Sequence, residues 1–445
     1  MADNPSEERT RPHVVVVGGG FGGLNVVRNL RKADVDITLI DRHAYNTFNP
    51  LLYQVATASL NPGDVTWFLR AVRAKQDNVI FLKGTVTSMD HEQRLVHLDG
   101  GLELQYDYLV IACGVTANFF GIPGAAEFSM PLYKRSQALA VRDRMFALLE
   151  NAAVNGHDQD MRLLVVGGGA TGVETAGALA ELRNNDLPVA YPEIDPAKVH
   201  ITLVEMQDFV LAPFAPKLRD YAKASLEKRG VDLRLGTSVK EVRADGVVVQ
   251  QGDAEPEFLH AGIVVWGSGI TAHDVVKNWN VPQGRGKRIE MDEHLRVHGL
   301  TNVFAIGDVS INPDDPLPQL AQPAMQGGKH VAKYIKADLA GDVASVKPFK
   351  YFDKGTMATI GKASAVAEIR WMPKMKGFLA WLIWVGLHIF MLLGNRNRFA
   401  TLTNLGAKYL LWGSHNVIVG ETPPIEAKKP HVLERAKVSP KGRRR

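Results

Sequence analysis

One cysteine, Cys113, stands in a chain of 445 residues. That scarcity excludes an internal disulfide, a redox-active cysteine pair within the chain, and the paired-cysteine patterns of structural zinc sites. The fourteen histidines are scattered without metal-ligand spacing, and no Ser-His-Asp arrangement stands out. A net acidic balance is also lacking: the formal charge is +5. The excess is local. From residue 395 onward eleven Lys or Arg face three Glu, so the remainder of the chain is slightly acidic. A basic end beside an apolar segment favours a membrane surface over nucleic acid as partner.

Apolar runs long enough to cross a bilayer are missing too. The longest candidate, Phe378 to Leu393, has sixteen residues between Lys374/Lys376 and Arg396/Arg398. A span needs about 20, and crossing would carry the basic tail out of the cytosol, against the positive-inside tendency. Two surface-lying helices are expected instead, the second over 399–412 with Lys408, Tyr409 and Trp412 at headgroup depth. The first dozen residues are polar, mixed in charge and without a secretory apolar core. They are expected to be a short disordered lead on a cytosolic protein, and residues 421–445 a basic disordered tail.

What the sequence does have is a repeated design. H-V-V-V-V-G-G-G-F-G-G begins at His13, and R-L-L-V-V-G-G-G-A-T-G-V-E begins at Arg162. In each, an apolar run of strand type breaks into glycines at G-x-G-x-x-G spacing: Gly18, Gly20 and Gly23, then Gly167, Gly169 and Gly172. Such glycines permit a tight strand-to-helix turn, close approach of backbone to a pyrophosphate, and close helix–strand packing. The helix N-terminus that follows offers free N–H groups to the phosphates. A second strand ends in Asp41, 18 residues past Gly23, where a carboxylate can bind ribose hydroxyls. Glu205 ends the corresponding strand 33 residues past Gly172, the excess being a proline-bearing insertion over 183–198. A carboxylate there disfavours a 2′-phosphate and so favours NADH over NADPH.

With 46% hydrophobic residues the chain can bury a sizeable core, divided between two or three domains. The expected class is α/β, with two Rossmann-like dinucleotide-binding domains and a C-terminal membrane-anchoring region. Asn46 to Leu60 is apolar without clear period, more a pocket-lining segment than a free helix. Phe304-Ala-Ile-Gly-Asp308 sets an acidic residue at a strand's carboxyl end, where ligands sit in such sheets. Two dinucleotides without another catalytic set imply that a bound cofactor does the chemistry: hydride from NADH to FAD, then electrons to an acceptor that is not a disulfide. A lipid-soluble quinone suits an apolar, basic end.

The chain resembles the type II, non-proton-pumping NADH:quinone oxidoreductases over essentially its whole length. The resemblance is carried by G-G-G-F-G-G (18–23), F-N-P-L-L-Y-Q-V-A-T (48–57), N-F-F-G-I-P-G (118–124), G-G-G-A-T-G-V-E (167–174), F-A-I-G-D (304–308), A-Q-P-A-M-Q (321–326), G-T-M-A-T-I-G (355–361) and A-W-L-I-W-V-G-L-H (380–388) with G-N-R-N-R (394–398). Glycine fingerprints are common to many flavoproteins; the A-Q-x-A-x-Q stretch and the apolar end are more specific. Departures lie at Ala58-Ser59, where a glycine is frequent, at Cys113, and at Gly267.

That resemblance implies FAD in the first fold (13–120 with 300–345), NADH in the second (121–299), and membrane association through 346–420. Around FAD it implies Gly18, Gly20, Phe21, Gly22, Gly23, Asp41, Arg42, Gln54, Val55, Ala112, Gly114, Asp308 and Gln322, with Asp308 at the ribityl or pyrophosphate part. Around NADH it implies Gly167, Gly169, Ala170, Thr171, Gly172, Glu174, Glu205 and Gly269. Gln322 and Gln326 are implied where quinone meets the flavin, and Glu174 near the nicotinamide. The residues alone leave alternatives open. Glu174 in a first helical turn is also ordinary dipole-favoured charge, and glutamines four apart also describe an exposed helix face. The expected setting is a homodimer on the cytoplasmic face of the inner membrane, with menaquinone favoured. A soluble reductase of a ferredoxin-like protein and a non-catalytic redox sensor are the competing readings. Sulfide:quinone chemistry is disfavoured by the want of cysteines.

Overall fold

The computed structural model describes residues 11–156, 161–411 and 419–425. The lead before residue 11, Trp412 and the tail beyond 425 lie outside them. The chain forms two compact units. The first comprises residues up to Phe48, Thr66–Asn118 and Gly269–Gly355; the second Asn49–Val65, Phe119–Ser268 and the chain from Thr356.

In the first unit His13–Val17 lies at the centre of a five-stranded parallel sheet, in the spatial order Val303–Ala305, Tyr108–Ile111, His13–Val17, Asp36–Asp41, Val79–Lys83. Every residue of His13–Val17 is buried, as a central parallel strand covered on both faces requires. Val14 pairs with Ile37 on one side and Tyr108 on the other. The second unit repeats the plan, with Met161–Val166 flanked by Val199–Val204 and Ile263–Trp266. Each unit also carries a three-stranded antiparallel sheet, over 86–105 and 237–260 respectively.

Three placements differ from expectation. Residues 49–65 pack in the second unit, because helix Leu52–Ala56, buried throughout, packs against the helices Arg135–Asn155 and Ala170–Glu181. Residues 269–299 pack in the first, where Ile270–Ala272 pairs antiparallel with Val115–Ala117; Gly269, expected beside NADH, goes with them. The C-terminal region is not separate: its strand Gly355–Gly361 lies against Ala170–Glu181 so closely that a Cβ on Gly177 would sit 2.1 Å from the Ile360 carbonyl oxygen.

Two helices follow that strand's sheet, Phe378–Met391 and Asn395–Gly406. The first has 14 residues, about 21 Å at 1.5 Å per residue, against a hydrocarbon core of about 30 Å. Among the described residues no helix is long and apolar enough to cross a membrane.

Candidate functional site

Each glycine turn divides its three glycines by physical role. At Gly18 (φ +111°) a Cβ would lie 2.3 Å from the Ala112 carbonyl oxygen, and at Gly23 one would lie 1.9 Å from that of Gly18. At Gly20 no atom comes within 4 Å. The second turn matches. Gly167 (φ +106°) and Gly172 are crowded, the latter with a Cβ 1.8 Å from the Gly167 oxygen, and Gly169 again faces nothing within 4 Å. The protein's own packing therefore requires the outer glycines and not the middle one. A close backbone approach by a pyrophosphate is what a Cβ there would obstruct, so both turns fit a dinucleotide.

The two acidic residues also match. Asp41 accepts the Gly19 N–H (2.7 Å) on one oxygen and the His43 N–H (2.8 Å) on the other. Glu205 accepts the Gly168 N–H (2.5 Å) and the Gln207 N–H (2.8 Å). The insertion before Glu205 folds into short helical turns over 182–190 and 196–198, leaving the strand end in register. Burial pushes the Asp41 carboxyl above its ordinary value, against the two backbone donors.

In the first unit, helix Ala321–Leu339 packs on the glycine helix Phe21–Asn29 through Gly22 and Gly328, where a Cβ on the latter would lie 2.5 Å from the Gly22 oxygen. Ala324 lies at the same contact, its carbonyl oxygen 3.4 Å from where a Cβ on Gly22 would sit; Gln322, two residues before it, is half-buried, and its side chain makes no hydrogen bond among the described residues. Gln326 behaves differently. Its amide donates to the Phe352 carbonyl (2.9 Å) and accepts the Phe352 N–H (3.0 Å). Both ends of that amide pin the 350s segment, so the paired quinone role expected for Gln326 is not the one its contacts serve. Asp308 lies in the turn Gly307–Val309 after the edge strand, and Gln319 donates to its carbonyl (3.0 Å). Phe21 stacks edge-on with Phe48 at 5.8 Å, Arg42 meets the His273 ring at 3.2 Å, and Gly114 takes φ +67° in open space.

The second unit encloses Glu174. It is 8% exposed on helix Ala170–Glu181 and accepts the Thr359 N–H at 3.3 Å. Burial pushes its carboxyl up to about 8, outweighing the Thr359 amide and the Trp384 indole, so it is protonated at neutral pH. First-turn dipole charge, the other reading of this residue, does not describe a buried neutral acid. Around it lie Tyr53 and Trp384, ring centroids 6.3 Å apart, and His388, stacked on Trp384 at 4.1 Å. Burial pulls the His388 ring down to about 4 and drives Tyr53 well above its ordinary range, with Glu174 adding to the rise. Beside Tyr53, Gln54 donates to its hydroxyl (2.9 Å), and the Gln54 Oε1 is buried with no partner; Val55 is fully buried. Sequence reading missed Tyr53, Trp384 and His388. The four-residue step from Trp384 to His388 was the one available signal, since the other contacts join distant segments. Cys113 is pushed up to about 12 by burial, in keeping with an inert thiol.

Helix Asn395–Gly406 buries two of its polar residues. Asn397 and Thr401 are buried; the Thr401 hydroxyl donates to the Asp64 carbonyl (3.5 Å) and Asn404 to the Asp64 carboxylate (2.7 Å). One turn on, Lys408 donates to the Ser59 hydroxyl (2.5 Å). Lys408 and Tyr409 thus point into the protein, not to headgroup depth, because Asp186 and Glu181 lie there to offset the buried ammonium. Several apolar side chains face out: Phe399 is 73% and Phe390 68% exposed, with Phe378, Leu379, Leu382, Leu387 and Leu402 alongside.

The sequence profile of the pyridine nucleotide-disulphide oxidoreductases matches residues 12–328, and that of the NDH2 C-terminal domain matches residues 354–412. A type II NADH:quinone oxidoreductase of Mycobacterium tuberculosis is 38% identical over 419 residues, covering 91% of this chain and 90% of that one. A mitochondrial internal alternative NAD(P)H-ubiquinone oxidoreductase of Arabidopsis thaliana is 30% identical over 437 residues, 90% of this chain and 84% of the other. In fold, the chain is similar to Plasmodium falciparum NDH2 solved in complex with NADH, with a TM-score of 0.83 at 21% identity, covering 90% and 99% of the two chains.

Proposed function

The chain belongs to the type II NADH:quinone oxidoreductases, and from that membership we propose that it is a flavoprotein oxidising NADH and reducing a quinone at a membrane surface. The observation that carries the reading is the duplicated cradle: two strand-end carboxylates each accepting a glycine-turn N–H, Asp41 with Gly19 and Glu205 with Gly168. When bound, FAD supplies the two-electron chemistry that no side chain here offers.

The residues have separable tasks. Gly18, Gly20 and Gly23 with Asp41 and Asp308 would hold FAD; Gly167, Gly169 and Gly172 with Glu205 would hold NADH, the carboxylate binding ribose hydroxyls and repelling a 2′-phosphate. Glu174 holds a proton near neutral pH in surroundings that exclude water, suited to exchange during quinone reduction. Gln322 offers a neutral amide to a quinone carbonyl without burying a charge.

The membrane part of the reading is supported by the C-terminal helices, which leave Phe378, Leu379, Leu382, Leu387, Phe390, Phe399 and Leu402 exposed while Asn397 and Thr401 are buried. Water would favour the reverse arrangement. We assign this face to the headgroup–acyl boundary. The family resemblance supports a homodimer and menaquinone, and the basic residues beyond 395 support the cytoplasmic face.

NADH oxidation by purified protein, with and without a short-chain quinone, tests the activity. Turnover should rise with quinone; turnover that rises only with a reduced-protein acceptor rejects it. Sedimentation with lipid vesicles should be lost on deleting residues 372–445, and unchanged sedimentation rejects the anchor.

A further inference from the structure

Helix Asn395–Gly406 is turned against the usual rule. Its inner stripe at four-residue spacing, Asn397, Thr401 and Leu405, is buried, while Phe399 and Leu402 are exposed. A helix set against a protein in water ordinarily presents its apolar stripe inward and its polar one outward. Buried polar groups need partners, and one short segment of the same unit supplies them. Asn404 donates to the Asp64 carboxylate (2.7 Å) and the Thr401 hydroxyl to the Asp64 carbonyl (3.5 Å). One turn on, Lys408 donates to the Ser59 hydroxyl (2.5 Å). Asp64 and Ser59 are themselves buried.

That segment also closes the short helix carrying Tyr53 and Gln54. The Thr57 N–H and hydroxyl both donate to the Tyr53 carbonyl (2.9 Å each). The Ser59 and Leu60 N–H groups donate to the Gln54 carbonyl (2.7 and 3.1 Å). The Ser59 hydroxyl, held by Lys408, donates in turn to the Thr57 carbonyl (3.4 Å). The Asn61 N–H donates to the same Asp64 oxygen as Asn404 (3.3 Å). Residues 57–64 thus link the last helix to Tyr53, whose ring meets Trp384 at 6.3 Å.

One rotational setting of helix Asn395–Gly406 meets two demands. It gives Asp64 and Ser59 their partners, and it turns Phe399 and Leu402 outward, as Phe378, Leu379 and Phe390 are in the preceding helix. A bilayer surface is the occupant this face fits. Arg396 and Arg398 stand at the start of the helix, and from residue 395 eleven Lys or Arg face three Glu, a match for anionic headgroups. Two interactions that select the same state strengthen each other.

We propose that lipid binding at this outer face is coupled to the Asp64–Asn404 and Ser59–Lys408 contacts, so that docking on an anionic membrane steadies the segment that carries Tyr53 and Gln54. Asn404 and Lys408 act from the side of the helix that lipid does not touch. The inference rests on the reading of this face as the membrane-binding one.

The test is hydrogen–deuterium exchange of the FAD-loaded protein, with and without vesicles of equal parts phosphatidylcholine and phosphatidylglycerol, alongside cosedimentation. Exchange at the amides of residues 57–64 should slow by roughly tenfold on vesicle binding, within the usual range of coupling between two sites. In the double variant Asn404→Leu, Lys408→Met that slowing should be lost. Its affinity for the vesicles should fall by the same factor, as reciprocity requires. Lys408→Arg, which keeps a charged donor, should retain the slowing. Where the double variant does not yield folded protein, Asn404→Ala alone takes its place. Failure of the unsubstituted chain to cosediment overturns the membrane reading itself. Cosedimentation without slower exchange at 57–64 overturns the coupling alone. Equal slowing in the double variant overturns it as well, because lipid would then be shielding those amides without the two contacts. Slowing that appears without vesicles as protein concentration rises assigns the face to a second copy of the chain and overturns it too.

Discussion

Glu174→Gln should stabilise the protein, and by an amount that grows with pH. The glutamine reproduces the neutral form of the acid and cannot ionise. In the folded chain burial raises Glu174 from 4.5 to about 8. The sign follows from linkage. A raised carboxyl favours folding most below its unfolded value, and that benefit is lost as pH rises through the folded value. With one decade worth about 1.4 kcal/mol, the loss is about 1 kcal/mol near pH 5.5 and at most about 5 near pH 8.5. The advantage of Glu174→Gln over the unsubstituted chain should therefore widen by roughly 3 kcal/mol between those conditions. Any packing difference of the amide is independent of pH and cancels. Urea unfolding of both proteins at the two pH values, followed by tryptophan fluorescence, measures it. A difference that stays constant with pH would refute the claim that the acid is protonated in the folded state at neutrality.

Gly18→Ala should fail to fold, its Cβ having to sit 2.3 Å from the Ala112 oxygen, whereas Gly20→Ala should fold and lose FAD, as absorbance of the purified proteins will tell. Ala58 takes φ +61°, so Ala58→Gly should stabilise the chain by about 1 kcal/mol, seen as a higher urea midpoint. Gln322→Leu should slow quinone reduction more than flavin reduction by NADH in stopped-flow. Gln326→Leu, which breaks both bonds to Phe352, should instead lower stability by about 1–3 kcal/mol and affect both half-reactions alike. Glu205→Ser should raise NADPH use relative to NADH by roughly tenfold in kcat/KM; an unchanged ratio would detach that carboxylate from the ribose.

The glycine turns were legible because steric demand leaves a residue-level record: crowding at Gly18, Gly23, Gly167 and Gly172 tolerates no side chain. Glu205 was legible despite its distance from Gly172, since a strand followed by an acid survives an insertion. Contacts between distant segments were not. Nothing local to Glu174 says that Trp384 and Thr359 will enclose it, and its spacing fits exposed charge equally well. The last helix was misread for a related reason. Polar residues on a helix are ordinarily taken as its wet side, but Asp64 and Ser59 supply partners that draw Asn404 and Lys408 inward. Gln326 shows the same limit: four-residue spacing gives a shared face and does not reveal that Phe352 occupies one amide of the pair.

The most direct test follows the flavin absorbance of the purified protein without oxygen, adding first NADH and then a short-chain quinone. The account predicts a yellow protein that NADH bleaches and quinone restores, with one NADH consumed per quinone reduced. A protein that stays colourless after supply of FAD, or one that NADH bleaches and quinone leaves bleached, would contradict it.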